Sequence, residues 1–400
     1  MIRRIIYHRL IVADFPDAGR CVWVVSMSAP QPCEDNVGPI GSTAIPASTG
    51  AIAPTLGGGG RYRLLEAGRG AACLWVLFFH SINCFPIAGL PEVLKPVRAV
   101  GGWGWLGVEV FFAISGWCIA ERIARGFRVN ESGFHFAIER LLRIFPTYWA
   151  ALAVLVAIRL AAVPFNSAHL SGCTPEGWQG WLGSILLLDT YMGHGSFLEV
   201  SWTLVYELGF YLCATIALMA ATRRVVKFRV LFILGCLMCL FPWTAHGGSA
   251  PWRVLALWPD FFAGMAAWWA ARRGSRASGY AVLVAMLAIA TIWPTYWALE
   301  RLTAIGTAWI LALAYTWDDR LAKMPIMRPM IWAGGVSYSL YLIHVPLMSP
   351  FFNLAERWIP YTSEWFTAVW SLAIVMALIG AKYLNQLVEA PFELWRRRVF

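Results

Sequence analysis

Apolar residues in this chain come in runs of about 17 to 22, separated by short polar segments, and that run length restricts the fold more than any other feature. A helix rising about 1.5 Å per residue needs about 20 residues to cross the roughly 30 Å hydrocarbon core of a bilayer. Within lipid every backbone N–H and C=O must be bonded internally, so only helices and closed barrels can span. Barrel strands would be about ten residues long with period-two polarity, and segments such as Val282 to Ile292 show neither property. Composition agrees, since 59% of the 400 residues are hydrophobic and 14% are charged, a balance foreign to soluble domains. The fold class expected is therefore all-α, a polytopic membrane protein of about ten transmembrane helices.

The spans fall near residues 64–84, 102–122, 144–163, 198–220, 228–243, 252–271, 279–296, 299–317, 330–350 and 362–388. Basic residues of short loops are retained in the cytoplasm. With these spans one side of the membrane collects 20 Lys and Arg residues, whereas the other holds only Lys95, Arg98, Arg159, Arg253, Arg301 and Arg357. An even number of spans with both termini cytoplasmic satisfies that bias. It also accounts for the net charge of +10 without any nucleic-acid partner. The apolar stretch Trp178 to Tyr191 is short, and a span there would invert every later loop, so it reads as a re-entrant or interfacial segment on the outer side.

Residues 1–60 mix Pro, Gly, Ser and Ala and end in Gly57 to Gly60, the composition of a disordered tail. Residues 61–395 form the membrane domain, and 396–400 are expected as a basic cytoplasmic tail. Cys84 and Cys173 both fall on the outer side, where an oxidising compartment would allow a disulfide.

An ionisable group inside the bilayer costs at least about 2.5 kcal/mol, so each one is a functional candidate. The first span carries Glu66, Arg69 and His80, the second Glu109, the fourth Glu207, the sixth Asp260 and the ninth His344. Arg69 and His80 are eleven residues apart, about three helical turns, so they share a face while lying roughly 16 Å apart along the axis. Glu207 shares a face with Thr203 and Tyr211 at i, i+4 spacing. A carboxylate bonded to one imidazole nitrogen fixes the tautomer and strengthens the other nitrogen as a base, so Glu207 is the expected partner of His80. Arg140 and Arg143, one turn apart before Pro146, suit a phosphate or a plain positive-inside anchor. The small residues of Gly107 to Gly116 permit close helix approach.

These pieces, in this order, resemble the acyltransferase-3 family of integral membrane acyltransferases over roughly residues 61–395. The family's Arg and His, separated by ten residues in the first span, are met by Arg69 and His80. Its Gly-Val-acidic-x-Phe-Phe-x-x-Ser-Gly stretch is met by Gly107 to Gly116, which includes Ser115, and its Arg-x-x-Arg before a Pro by Arg140, Arg143 and Pro146. Trp202, Leu204, Glu207, Phe210 and Tyr211 meet a further element. Ser337, Tyr338, Tyr341 and His344 meet the last one.

The resemblance implies transfer of an acyl group, usually acetyl, from a cytoplasmic coenzyme A thioester to a hydroxyl of a glycan or lipid-linked saccharide on the extracytoplasmic side. The setting is a bilayer of the bacterial inner-membrane type. It implies His80 and Glu207 as catalytic residues and Arg69, Arg140 and Arg143 as the acyl-CoA site, with no metal. Ser115, Trp202, Tyr206, Tyr211, Tyr338, Tyr341 and His344 are the candidate pocket residues. The rival reading from another class is a secondary transporter or a flippase for a lipid-linked sugar, which would also bury a few charges between helices.

Overall fold

The computed structural model describes residues 62–129, 131–162, 174–189, 191–192, 196–222, 228–239, 257–272, 276–292 and 298–399. The expected N-terminal tail, Arg253 and Cys173 with its proposed disulfide lie outside the described residues. Among those described there is no strand, and a helix occupies each of the ten expected positions. These are α1 (Arg63–Ile82), α2 (Lys95–Gly101), α3 (Gly107–Val129), α4 (Gly133–Ala162), α5 (Gly177–Leu186), α6 (Trp202–Thr222), α7 (Phe228–Cys239) and α8 (Trp258–Arg272). They continue with α9 (Arg276–Ile292), α10 (Ala298–Ala314), α11 (Asp318–Leu321), α12 (Met327–Gly335), α13 (Ser337–Ala355), α14 (Phe366–Leu384) and α15 (Ala390–Val399).

Among the described residues, four helical stretches are long and apolar enough to cross a membrane: Glu92–Val129, Gly133–Ala161, Glu199–Ala220 and Phe366–Val399. A fifth arises if α12 and α13, bent by 80° at their junction, are one broken span. The chain is thus a multi-pass membrane protein. The described parts of α7, α8, α9 and α10 are 12, 15, 17 and 17 residues long, shorter than a straight crossing requires. In α1, Glu66, Arg69 and His80 lower the average hydropathy of a helix that is otherwise 20 residues long.

Helices in lipid gain little from hiding apolar surface from each other, so close backbone approach and polar contacts must hold them. Two glycine pairs supply the approach. A Cβ on Gly116 would sit 1.8 Å from the Phe261 carbonyl oxygen, and one on Gly264 would sit 1.7 Å from that of Ala113. Helices α3 and α8 therefore touch backbone to backbone, as the small residues of Gly107 to Gly116 foretold. Gly70 and Gly334 do the same for α1 and α12, with a Cβ meeting the Met330 and Glu66 carbonyls at 1.8 and 2.1 Å. Polar side chains add specific ties. The Tyr338 hydroxyl donates to the Ile144 carbonyl at 2.6 Å and fastens α13 to α4. Asp260 on α8 and Arg301 on α10 form a buried ion pair at 3.2 Å, which gives Asp260 a structural role and places Arg301 within the bundle rather than in an outer loop.

Three local expectations change. The span expected from residue 144 starts earlier, since α4 begins at Gly133 and Pro146 lies inside it. The polar turns from Gly133 to Arg143 stay helical because charge pairing buries them: Arg122 binds Glu131 and reaches Glu139 at 2.7 Å, while Arg396 reaches Glu139 at 2.5 Å and Glu393 at 2.7 Å. Arg396, expected in a tail, is accordingly a buried residue of α15. The ninth span, expected as one helix over 330–350, is broken at Val336. The Trp178 segment is the ten-residue α5, ended by Leu187 at a left-handed φ of 59° and too short to cross.

Candidate functional site

His80 stands near the end of α1, and His344 stands two turns into α13. The packing of α1 against α13 brings His344 Nε2 to 3.1 Å from His80 Nδ1, with ring centroids 5.0 Å apart. Each Nδ1 also lies 3.0 Å from the carbonyl one turn earlier in its own helix, Val76 for His80 and Leu340 for His344. A carbonyl only accepts, so both rings carry a proton on Nδ1. His344 Nε2 is then the acceptor that His80 Nδ1–H shares with Val76. The tautomer that remains for neutral His80 leaves Nε2 unprotonated, which makes it the basic nitrogen of the ring.

His80 lines a narrow crevice of about 20 Å³ with Val76, Phe79, Trp105, Val108, Glu199, Val200, Trp202 and Tyr341. That volume holds about one water or one hydroxyl group. Tyr341 is fixed there by donating to the Val200 carbonyl at 3.2 Å, and its ring lies 6.0 Å from His344. Trp202 packs edge-on against Tyr206 at 5.9 Å.

The expected pairing of His80 with Glu207 is not made. Glu207 is fully buried on α6 and accepts a hydrogen bond from Tyr211, one turn away, while His80 takes Val76 and His344 as its partners. The reason is register: Trp202 faces the crevice, and Glu207 lies five residues deeper along α6. There it is within electrostatic reach of Tyr338 and Tyr341. Of the pocket candidates, Trp202, Tyr341 and His344 converge on His80, and Tyr206 backs Trp202. Tyr211 and Tyr338 are committed to Glu207 and Ile144, and Ser115 is buried on α3 apart from the crevice wall.

A larger cavity of about 280 Å³ opens at the other end of the site. Arg143, Thr147, Gly335, Asn385, Glu389, Glu393 and Arg397 belong to its wall. Arg69 and Arg140 do not; they are 4% and 1% exposed, and Arg140 stacks over the Phe136 and Tyr211 rings at 5.4 and 5.7 Å. A turn of π-helix, Asn385–Glu389, carries Glu389 to the start of α13. There its carboxylate accepts from the Ser339 hydroxyl at 2.5 Å, the Ser339 N–H at 3.3 Å and Asn385 Nδ2 at 2.9 Å. An acidic group at a helix N-terminus satisfies its unbonded amides and its dipole. Helix α13 connects the two regions: Tyr341 lines the crevice, and Ser339 holds Glu389, a residue of the larger cavity's wall.

Sequence reasoning missed Glu199, Trp105, Glu389 and the orienting role of His344. Glu199 had a visible signal, an acidic residue at the mouth of the expected span 198–220. Glu389 had none, because the π-turn that aims it cannot be read from hydropathy.

A family model described as an acyltransferase domain matches residues 63–384, most of the chain and all of the helices that build the two cavities up to the π-turn. Comparison with curated proteins and with solved structures finds no match.

Proposed function

Because the chain belongs to the acyltransferase-3 family of acyltransferases, we propose that it is an O-acyltransferase of a bacterial-type inner membrane. It moves an acetyl group from acetyl-CoA in the cytoplasm to a hydroxyl of a glycan or lipid-linked sugar on the other side. The observation that carries the reading is the His80–His344 contact, which leaves a single basic nitrogen at a crevice sized for one hydroxyl. The transport reading is not carried forward, since family membership accounts for the buried polar groups as parts of an acyl-transfer site.

In this reading the acceptor hydroxyl enters the crevice and gives its proton to His80 Nε2 as its oxygen attacks the thioester carbonyl carbon. The C–S bond breaks, the ester C–O bond remains, and the departing thiolate takes up a proton. His344 keeps the His80 ring in the required tautomer and shares the imidazolium charge through the Nδ1–H bond. The 280 Å³ cavity is the mouth for the donor: Arg143 and Arg397 offer guanidinium groups to phosphate, and Thr147 and Asn385 offer neutral polar groups. Arg69 and Arg140 act from behind that wall as fixed positive charge. In the same reading the chain crosses ten times with both termini cytoplasmic, so that this mouth opens inside and the crevice outside.

The test is transfer of label from radiolabelled acetyl-CoA to membrane glycan or lipid-linked sugar, in membranes holding equal amounts of wild type or His80→Ala. The reading expects labelling by the wild type and a loss of about 10²- to 10⁴-fold in the variant. Equal labelling by both would remove His80 from the mechanism.

A further inference from the structure

The crevice at His80 holds one carboxyl group that the transfer chemistry does not use. Glu199 lies in the single 3₁₀ turn Glu199–Ser201 that leads into α6, and its Oε1 is buried with no hydrogen-bond partner among the described residues. Arg159 is near enough to act on its charge, yet the two form no ion pair among the described residues. A buried carboxylate oxygen without a donor costs free energy, so a site of this kind is complete only when a donor arrives. Here the oxygen belongs to the wall of the crevice that also holds His80.

We infer that Glu199, flanked by Trp105 and Trp202, is the acceptor-binding subsite, and that its ligand is an uncharged sugar ring carrying a hydroxyl next to the one that is acylated. This rests on the transfer reading above and deepens it. At about 20 Å³ the crevice admits a hydroxyl but no ring, so the ring must lie across the mouth. Half-buried Trp105 and Trp202 line that mouth, and an indole offers a flat apolar face to the C–H face of a pyranose. A carboxyl oxygen accepts a hydrogen bond from an O–H group. It therefore recruits hydroxyls and offers phosphates and sugar acids no positive charge, whereas the larger cavity has Arg143 and Arg397 in its wall. Two hydroxyls on adjacent ring carbons would supply one O–H to each of the two acceptors in the crevice wall, Glu199 and His80. Tyr341 does not compete for either, because its hydroxyl is bonded to Val200.

The experiment is a steady-state measurement on the full chain, with radiolabelled acetyl-CoA as donor and the glycan and lipid extract of the source membranes as acceptor. Wild type, Glu199→Gln and Glu199→Asp are compared at matched abundance of folded, detergent-solubilised protein. Replacing the carboxyl by an amide, whose NH2 group cannot accept, predicts that Glu199→Gln raises the acceptor concentration for half-maximal rate about tenfold or more, while the acetyl-CoA KM changes by less than about twofold. Glu199→Asp recovers part of the loss. Glu199→Gln with wild-type acceptor dependence overturns the inference while leaving the transfer reading intact. Parallel loss of donor and acceptor affinity also overturns it, by making Glu199 structural. Absence of any labelling by the wild type fells the transfer reading, and this inference with it.

Discussion

Two histidines 264 positions apart in the sequence meet at 3.1 Å, each tied by its Nδ1 to a carbonyl of its own helix. If His344 orients His80, His344→Ala should lower kcat by about 10²-fold with little change in the acetyl-CoA KM. His344→Gln, whose amide oxygen can still accept from His80 Nδ1–H, should retain more activity. Initial rates over donor concentration separate the two outcomes. The residues on one helix were legible in advance: Arg69 and His80 do share the unbroken α1, and Glu207 does meet Tyr211 at the i+4 spacing the sequence displays. The partner of His80 was not, because spacing along one helix says nothing about which distant helix packs against it. A carboxylate is the usual companion of a catalytic imidazole, and Glu207 was the buried carboxylate in view. Apart from its place at the edge of the same span, Glu199 carries no motif or spacing that marks it in the sequence.

Helix positions followed from hydropathy because lipid demands long apolar runs, and that signal ends where lipid ends. It located α4 from residue 144 but not its first turns, which are polar and buried by the Arg122, Glu131, Glu139 and Arg396 cluster. Removing one partner of such a cluster strands the others, so Glu139→Ala should cost about 3 to 5 kcal/mol, seen as a lower melting temperature in detergent. The helix contacts at glycine make a second prediction. Gly264→Ala places a Cβ 1.7 Å from the Ala113 carbonyl, so α3 and α8 must part, at a cost of about 1 to 3 kcal/mol or more. Wild-type melting temperature in that variant would contradict the packing. The loop carboxyl Glu131 gives a pH dependence. Burial works against its charge, but the Arg122 guanidinium prevails and holds it below the usual carboxylate range. A carboxyl whose folded pKa is depressed contributes stability that is complete at neutral pH and lost as pH falls through the folded value. Melting temperature should therefore drop in acid, below about pH 4.5, and Glu131→Gln should flatten that drop.

For the molecule as a whole, the account places α11 and the turn after it inside the cell and the α13–α14 connection outside. Single cysteines in a cysteine-free background would report this: Met324→Cys, exposed in the first, should react with an impermeant thiol reagent only from the cytoplasm, and Trp358→Cys, exposed in the second, only from outside. Reaction of both from one side would contradict the ten-crossing arrangement. The charge asymmetry of the loops made the orientation legible as an expectation. The two cavities were invisible, because the larger lies at a bend at Val336 and a π-turn at Asn385–Glu389 that packing imposes, and the crevice is formed by residues of α1, α3, α6 and α13 that only packing brings together. The central claim is that one chain takes an acyl group at the Arg143 face and delivers it at His80. Sealed proteoliposomes test it most directly, with radiolabelled acetyl-CoA confined to one face and the glycan extract to the other. The account predicts labelled glycan when the donor is on the cytoplasmic face of wild-type protein, and none with His80→Ala. Labelling that needs donor and acceptor on the same face, or that survives loss of His80, would contradict it.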